Sequence, residues 1–271
     1  MTESRRPYLT VPRFTAVPGL VHGFGRAGWG EADFLAFAEA RGLTPVIMRQ
    51  LHSDFIHRLD DAPSHKLEGD ALITNVPGLL LVIRTADCLP VLLVDEARRA
   101  VAAVHCGWRG TEKRILEKAV RAMVEAYGSK PGEMLAALGP CIGPACYEVG
   151  PEVRAGFLKA GFPAAVFAEK GNAAAADNPV RSRRSGSGRT KKAESRDVTW
   201  GHVPEAQAPL LEPKFLLALR AANVYLLDKA GVKRENVISA GPVCTHCEPR
   251  LLSYRRDRHD PRRMANFIGL A

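Results

Sequence analysis

The sequence predicts a fold that mixes β-sheet with α-helix, and two kinds of pattern predict it. Short apolar runs bounded by Gly, Pro or Asp read as buried strands: residues 45–50 (PVIMRQ), 79–84 (LLLVIR), 90–94 (PVLLV) and 100–105 (AVAAVH). Other segments repeat their apolar residues at helical spacing. In residues 111–128 these fall at 115, 116, 119, 120, 123 and 124, with Thr111 placed to cap the helix and Gly128 to stop it. Residues 151–162 open on a proline, as a first helical turn can, and residues 213–231 read as the longest helix. Strands over 236–243 and 250–255 are expected to close the chain. The stretch 170–208, rich in Ala, Ser, Gly and Arg and without periodicity, is expected to be a loop or flexible insertion.

With 271 residues, 46% hydrophobic and 25% charged, the composition is that of an ordinary globular protein of one large or two small domains. The N-terminal residues lack the apolar core of a secretory signal, and the longest apolar runs are too short to cross a bilayer. A cytoplasmic location is therefore expected, with the six cysteines mostly reduced and available for metal or catalysis. The net charge is +9, and residues 181–192 (RSRRSGSGRTKK) carry six basic groups and no acid. With the excess so localised, the rest of the chain lacks the charge footprint of a nucleic-acid domain.

Chemistry is suggested where strands break at polar residues. Cys88 and His105 stand at or near the ends of two successive apolar runs, TADCLP (85–90) and AVHCGWRG (103–110), and His52 follows the strand at 45–50. Two imidazoles and a thiolate are a three-ligand set for zinc with a fourth position open, the arrangement of a catalytic site. The same residues also read as hydrogen-bonded core histidines and a buried thiol. A third reading makes Cys88 a nucleophile, His105 its base and Asp87 the group that orients the imidazole. After His105, the Gly107–Gly110 turn and Arg109 could form an anion site at a helix start, or simply connect strand to helix around a packed Trp108.

Longer motifs choose among these. QLHS (50–53), GDALIT (69–74), RTADCLPVLLVD (84–95), AVHCGWRGT (103–111), LGPCIGPACYEVG (138–150), CT (244–245) and LLSYRRD (251–257) occur in that order. Together they resemble the laccase-domain family, whose members go under the names multicopper polyphenol oxidoreductase and purine nucleoside phosphorylase. The resemblance implies an α+β fold, a single domain over residues 1–271 and a metal held by His52, Cys88 and His105; the basic 170–208 stretch is no hallmark of the family and is read as an insertion from its composition. It implies phosphorolysis of adenosine, inosine, guanosine and methylthioadenosine, and deamination of adenosine. On that footing Asp87 is the candidate proton carrier and Arg109 a phosphate contact, with Gln50, Tyr147 and Arg255 lining the substrate site. The expected cofactor is Zn2+, with copper able to bind in vitro. The expected partners are purine nucleosides and phosphate, without membrane or nucleic acid, as a monomer or homodimer.

The oxidase name conflicts with the residue count. A four-copper oxidase needs many imidazoles, usually as His-x-His pairs, whereas this chain has eight histidines and no such pair. Weak copper-dependent polyphenol oxidation remains an alternative, as does a metal-free Cys/His hydrolase or amidase acting on cell-wall precursors. A third alternative is a module that touches nucleic acid through 181–192. CTHC (244–247) is half a zinc ribbon without a second pair. Cys141 and Cys146 would complete four sulfurs only through an unusual fold, so Cys244 and Thr245 are expected beside the active site instead, and Cys106 and Cys141 have no assigned role.

Overall fold

The computed structural model describes residues 6–169, 213–241 and 243–271. In chain order the elements are β1 (Tyr8–Leu9), α1 (Pro12–Thr15), β2 (Leu20–Gly25), α2 (Glu31–Glu39), β3 (Thr44–Ile47), β4 (Ile56–Leu59), β5 (Ala71–Thr74), β6 (Leu79–Thr85), β7 (Leu89–Asp95) and β8 (Ala100–Cys106). They continue with α3 (Trp108–Glu112), α4 (Ile115–Tyr127), β9 (Leu135–Leu138), β10 (Glu148–Val149), α5 (Pro151–Lys159), β11 (Phe167–Glu169), β12 (Phe215–Leu217), α6 (Leu219–Lys229), β13 (Val237–Ser239) and β14 (Met264–Leu270). The α+β class holds. Among the described residues there are a five-stranded sheet ordered β1-β2-β14-β6-β3, a six-stranded sheet ordered β13-β9-β7-β8-β5-β4, and a small β10-β12-β11 sheet.

The unbroken apolar runs arise because strands β6, β7 and β8 are covered on both faces. Leu89, Val91 and Leu93 of β7 and Ala102 and Val104 of β8 face a core shared with α4 and α6. Their alternates Leu92, Val94, Val101 and Ala103 face Leu81, Ile83, Phe24 and Ile268 of the other sheet. The far side of that second sheet is closed by α2, whose Phe34 and Ala38 pack on Leu80, Val82 and Phe267. The layers are thus helix, sheet, sheet, helix. No helix among the described residues is long and apolar enough to cross a membrane.

Several expected elements change. The helix from 111 is two helices: Arg114 adopts a left-handed conformation at φ 63° between α3 and α4. Its guanidinium, bonded to Glu117 and to the Ala160 carbonyl, holds the break. Thr111 is therefore not a cap but a buried residue of α3, where the amide of Asn223 in α6 donates to its hydroxyl at 3.0 Å. Gly128 does end α4, at φ 65°. The helix expected over 213–231 begins as β12 and turns helical only at Leu219. Residues 250–255 form turns instead of a strand, and the closing strand is β14, whose Asn266 and Gly269 disguise it in sequence. The expected insertion at 170–208, with the basic run 181–192, lies outside the described residues.

The pairing that matters for function is antiparallel β7 on β8, with Leu89 opposite Cys106 and Pro90 opposite His105. It brings Cys88, just before β7, to the sheet end where His105 lies. Strand β5 lies on the other side of β8, with Ala71 opposite Val104, so Asp70 reaches the same end. Gly139 keeps this end closed, because a Cβ there would sit 2.3 Å from the Phe24 ring and 2.6 Å from Pro90. Gly139→Ala should cost about 1–3 kcal/mol of stability, as overpacked cores do, measured by urea unfolding. An unchanged midpoint would mean that the ring and strand yield freely.

Candidate metal centre and active site

One buried carboxylate organises the sheet end. Asp70 is fully buried. Its Oδ1 accepts from the His52 backbone N–H at 3.0 Å and pairs with His105 Nδ1 at 2.7 Å. Its Oδ2 accepts from the Ser53 N–H and Ser53 hydroxyl, both at 2.6 Å, and from the Leu51 N–H at 3.2 Å. Burial works against ionisation of Asp70, but the bonds from His105 and Ser53 hold its pKa down at about 2. These bonds also hold His52 in a left-handed conformation, φ 57°, which a non-glycine residue adopts only when its surroundings impose it.

With Nδ1 turned to Asp70, the opposite edge of His105 faces Cys88 and His52. The ligating atoms of His52, Cys88 and His105 lie within 4.8 Å of one another. Cys88 Sγ stands 3.9 Å from His52 Nε2, and the two imidazole centroids are 4.9 Å apart, nearly perpendicular. Gly107 makes the convergence possible: a Cβ there would meet His52 Cδ2 at 3.0 Å and Cys88 Sγ at 3.1 Å. Two imidazoles, a thiolate and a carboxylate behind one imidazole fit a metal ion with an open coordination position.

Burial disfavours a Cys88 thiolate, yet the adjoining His105 and His52 prevail and bring its pKa to about 6. Burial likewise disfavours a charged His105, but the Cys88 charge and the Asp70 bond raise its pKa to about 9. Without metal, the pair is a thiolate beside an imidazolium.

Asp87 lies in a different web. It is buried with φ 91°, and its Oδ1 accepts from the Thr245 hydroxyl and its Oδ2 from the Arg255 backbone N–H, each at 2.6 Å. Its carbonyl accepts from the Ile142 N–H at 2.9 Å. Asp87 therefore ties three segments to the base of Cys88. Tyr147 is buried on one of them, with the Arg255 guanidinium 5.6 Å from its ring centre. Burial and the Cys88 charge push the Tyr147 phenol up, while Arg255 and Arg109 pull it down, so both cations lie within electrostatic reach of it. Arg255 also donates to the Glu148 carbonyl at 3.1 Å. Arg109 is exposed, its guanidinium 4.3 Å from the Trp108 ring centre. Gln50 spends its amide on the Arg84 backbone, donating at 2.9 Å and accepting at 2.7 Å, and so anchors the loop that carries His52.

Sequence reasoning missed Asp70, Ser53 and the reason for Gly107, whereas Thr245 was expected near the site and bonds to Asp87 there. The available signal was GDALIT, where a charge directly precedes a fully apolar strand and is costly to bury without partners.

Known proteins share this arrangement of sequence and fold. The family model described as multi-copper polyphenol oxidoreductase laccase matches residues 32–181 and 189–271. A Shigella flexneri protein named purine nucleoside phosphorylase YfiH is 41% identical over 228 residues, covering 83% of this chain and 74% of that one. A protein named adenosine deaminase RL5, from an unknown prokaryotic organism, is 34% identical over 212 residues, covering 75% of this chain and 66% of its own length. In structure, the hypothetical protein YfiH of Bacillus licheniformis superposes with a TM-score of 0.76 at 23% identity, covering 98% of both chains.

The ion pair gives the metal-free protein a pH window. His105, raised to about 9, contributes stability that is complete below its ordinary value of 6.5 and lost as pH rises through about 9. Cys88, lowered to about 6, contributes stability that is complete above its ordinary value of 9.0 and lost as pH falls through about 6. Iodoacetamide labelling of Cys88 in metal-stripped protein should therefore rise with a midpoint near pH 6, and Asp70→Asn should move that midpoint upward. A midpoint unaffected by Asp70→Asn would separate the carboxylate from control of the thiol.

Proposed function

The chain belongs to the multi-copper polyphenol oxidoreductase laccase family, and we propose that it is a zinc-dependent purine nucleoside phosphorylase that also deaminates adenosine. The observation that carries this reading is the convergence of His52, Cys88 and His105 donor atoms within 4.8 Å, backed by Asp70. Three protein ligands of this type suit a catalytic zinc. A copper cluster lacks ligands here, since the only other donor group among the described residues contains a single histidine. Adventitious copper at the same triple, with feeble polyphenol oxidation, is the most this set supports. The names of the relatives supply the substrate class, with adenosine, inosine, guanosine and methylthioadenosine as the nucleosides to be tested.

A bound zinc ion supplies Lewis-acid polarisation at its open position. The chain's own residues do the rest. Asp70 fixes the tautomer and aim of His105. Arg109 and Arg255, both within electrostatic reach of Tyr147, take the phosphate through guanidinium–oxyanion contacts, and Tyr147 lines the nucleoside pocket. In phosphorolysis a phosphate oxygen bonds to ribose C1′ as the glycosidic C–N bond breaks. The purine leaves with the bonding pair and takes up the proton that the attacking hydrogen phosphate gives up. Asp87, with both oxygens accepting short bonds, is assigned to positioning Cys88 and the Arg255 segment instead of carrying the proton. Gln50 acts through Arg84, and a reducing cytoplasmic setting keeps Cys88 competent as a ligand.

The thiolate–imidazolium pair favours a second reading, a metal-free Cys/His hydrolase, in which Asp70 takes the orienting part expected of Asp87. The two readings separate by experiment. Zinc-loaded protein given adenosine or inosine should release free base and ribose 1-phosphate only with phosphate present, and a chelator should stop the reaction until zinc is restored. Chelator-resistant turnover abolished by iodoacetamide would replace the phosphorylase with the hydrolase. Asp70→Ala should weaken zinc binding by about 10–100-fold, read by competition with a chromogenic chelator. Undiminished affinity would remove the carboxylate from the metal site.

A further inference from the structure

A second group of thiols lies on the segments tied to Asp87 and takes no part in the chemistry above. Residues 244–247 (CTHC) form a tight turn in which the Cys247 and Glu248 N–H groups donate to the Cys244 carbonyl at 3.1 and 3.0 Å. The turn docks on the loop that follows β9. There Cys141 and Cys244 form a parallel bridge, and the Thr245 N–H donates to the Cys141 carbonyl at 3.1 Å. That loop then delivers Cys146 to the turn, where its sulfur stands 3.4 Å from Cys247 Sγ. The ligating atoms of Cys146, His246 and Cys247 all lie within 4.8 Å of one another. Cys244 adds a third sulfur from the same turn, outside that 4.8 Å group but near enough to act electrostatically on both thiols, and the Gly143 N–H donates to it at 3.1 Å.

We propose that Cys146, Cys244, Cys247 and His246 form a second, closed zinc site of the Cys3His type, which clamps the loop bearing Tyr147 to the turn bearing Thr245. A tetrahedral zinc with Zn–S bonds of about 2.3 Å places its sulfurs about 3.8 Å apart, close to the 3.4 Å between Cys146 and Cys247, and Cys244 would close in as the third sulfur. The C-x-x-C turn supplies two sulfurs from one backbone corner, and an N–H donated to sulfur is a usual companion of a thiolate ligand. The fold thus supplies from the 141–147 loop the sulfur that the sequence lacked as a second C-x-x-C pair. Four protein ligands leave no open position, so the site is structural, unlike the triple at His52, Cys88 and His105. Its consequence reaches the active site, because Thr245 and Ile142, on the two clamped segments, both bond to Asp87.

Zinc content of the full chain, purified under reducing conditions with zinc present, tests the proposal. The wild-type protein should carry two zinc ions, and a variant combining His52→Ala, Cys88→Ser and His105→Ala should keep one. X-ray absorption of that variant should show three sulfurs at about 2.3 Å and one nitrogen at about 2.0 Å. Adding Cys247→Ser and His246→Ala to it should remove the remaining ion, with folding checked by circular dichroism. If the first variant binds no zinc, or mass spectrometry finds Cys146 and Cys247 disulfide-linked in it, the second site is overturned while the first stands. A wild-type protein with one zinc that survives the first variant would instead uphold this site and refute the first.

Discussion

The Asp70 carboxylate is the constraint on which the site depends. It is fully buried, where an unpaired charge costs several kcal/mol, and it persists because five donors converge on it. Three of those donors are consecutive backbone N–H groups, which fix the loop bearing His52. A fourth is the ring of His105 itself. One anion thus sets the backbone of one histidine and the side-chain orientation of the other. Cys88 needs no such tether, because the β7–β8 register already places it at that sheet end.

The second constraint is separation of duties between two aspartates. Asp70 serves the imidazoles from below, whereas Asp87 gathers Thr245, Arg255 and Ile142 around the base of Cys88. The Cys-rich corner then stands behind Asp87, on the two segments that it holds. In this arrangement His105 lies in the six-stranded sheet, Cys88 directly precedes one of its strands, and His52 rides on a loop fastened by Asp70, while the substrate-facing residues ride on loops held by Asp87.

The sequence was most legible where burial on both faces makes a strand continuously apolar. Strands β6, β7 and β8 fall within a residue or so of the expected limits, and α5 begins at the expected proline. The metal triple was readable because polar residues ended those runs. Tertiary contacts concealed the rest. The left-handed Arg114 splits one periodic segment into α3 and α4, held by bonds to distant groups. Strand β14 contains Asn266, which is buried because its amide donates to Thr85 and to backbone carbonyls. It also contains Gly269, where a Cβ would meet the Leu79 carbonyl at 2.4 Å. Residues 250–255 look like a strand, but their backbone turns to reach Asp87. Cys146 lies nearly a hundred residues from CTHC, so no spacing rule joins them.

Anomalous diffraction from crystals of the zinc-loaded protein at the zinc absorption edge tests the central claim most directly. The account predicts a peak bonded to His52, Cys88 and His105, with His105 Nδ1 still paired to Asp70. A map without that peak, or with the two imidazoles turned away from the Cys88 sulfur, would contradict it.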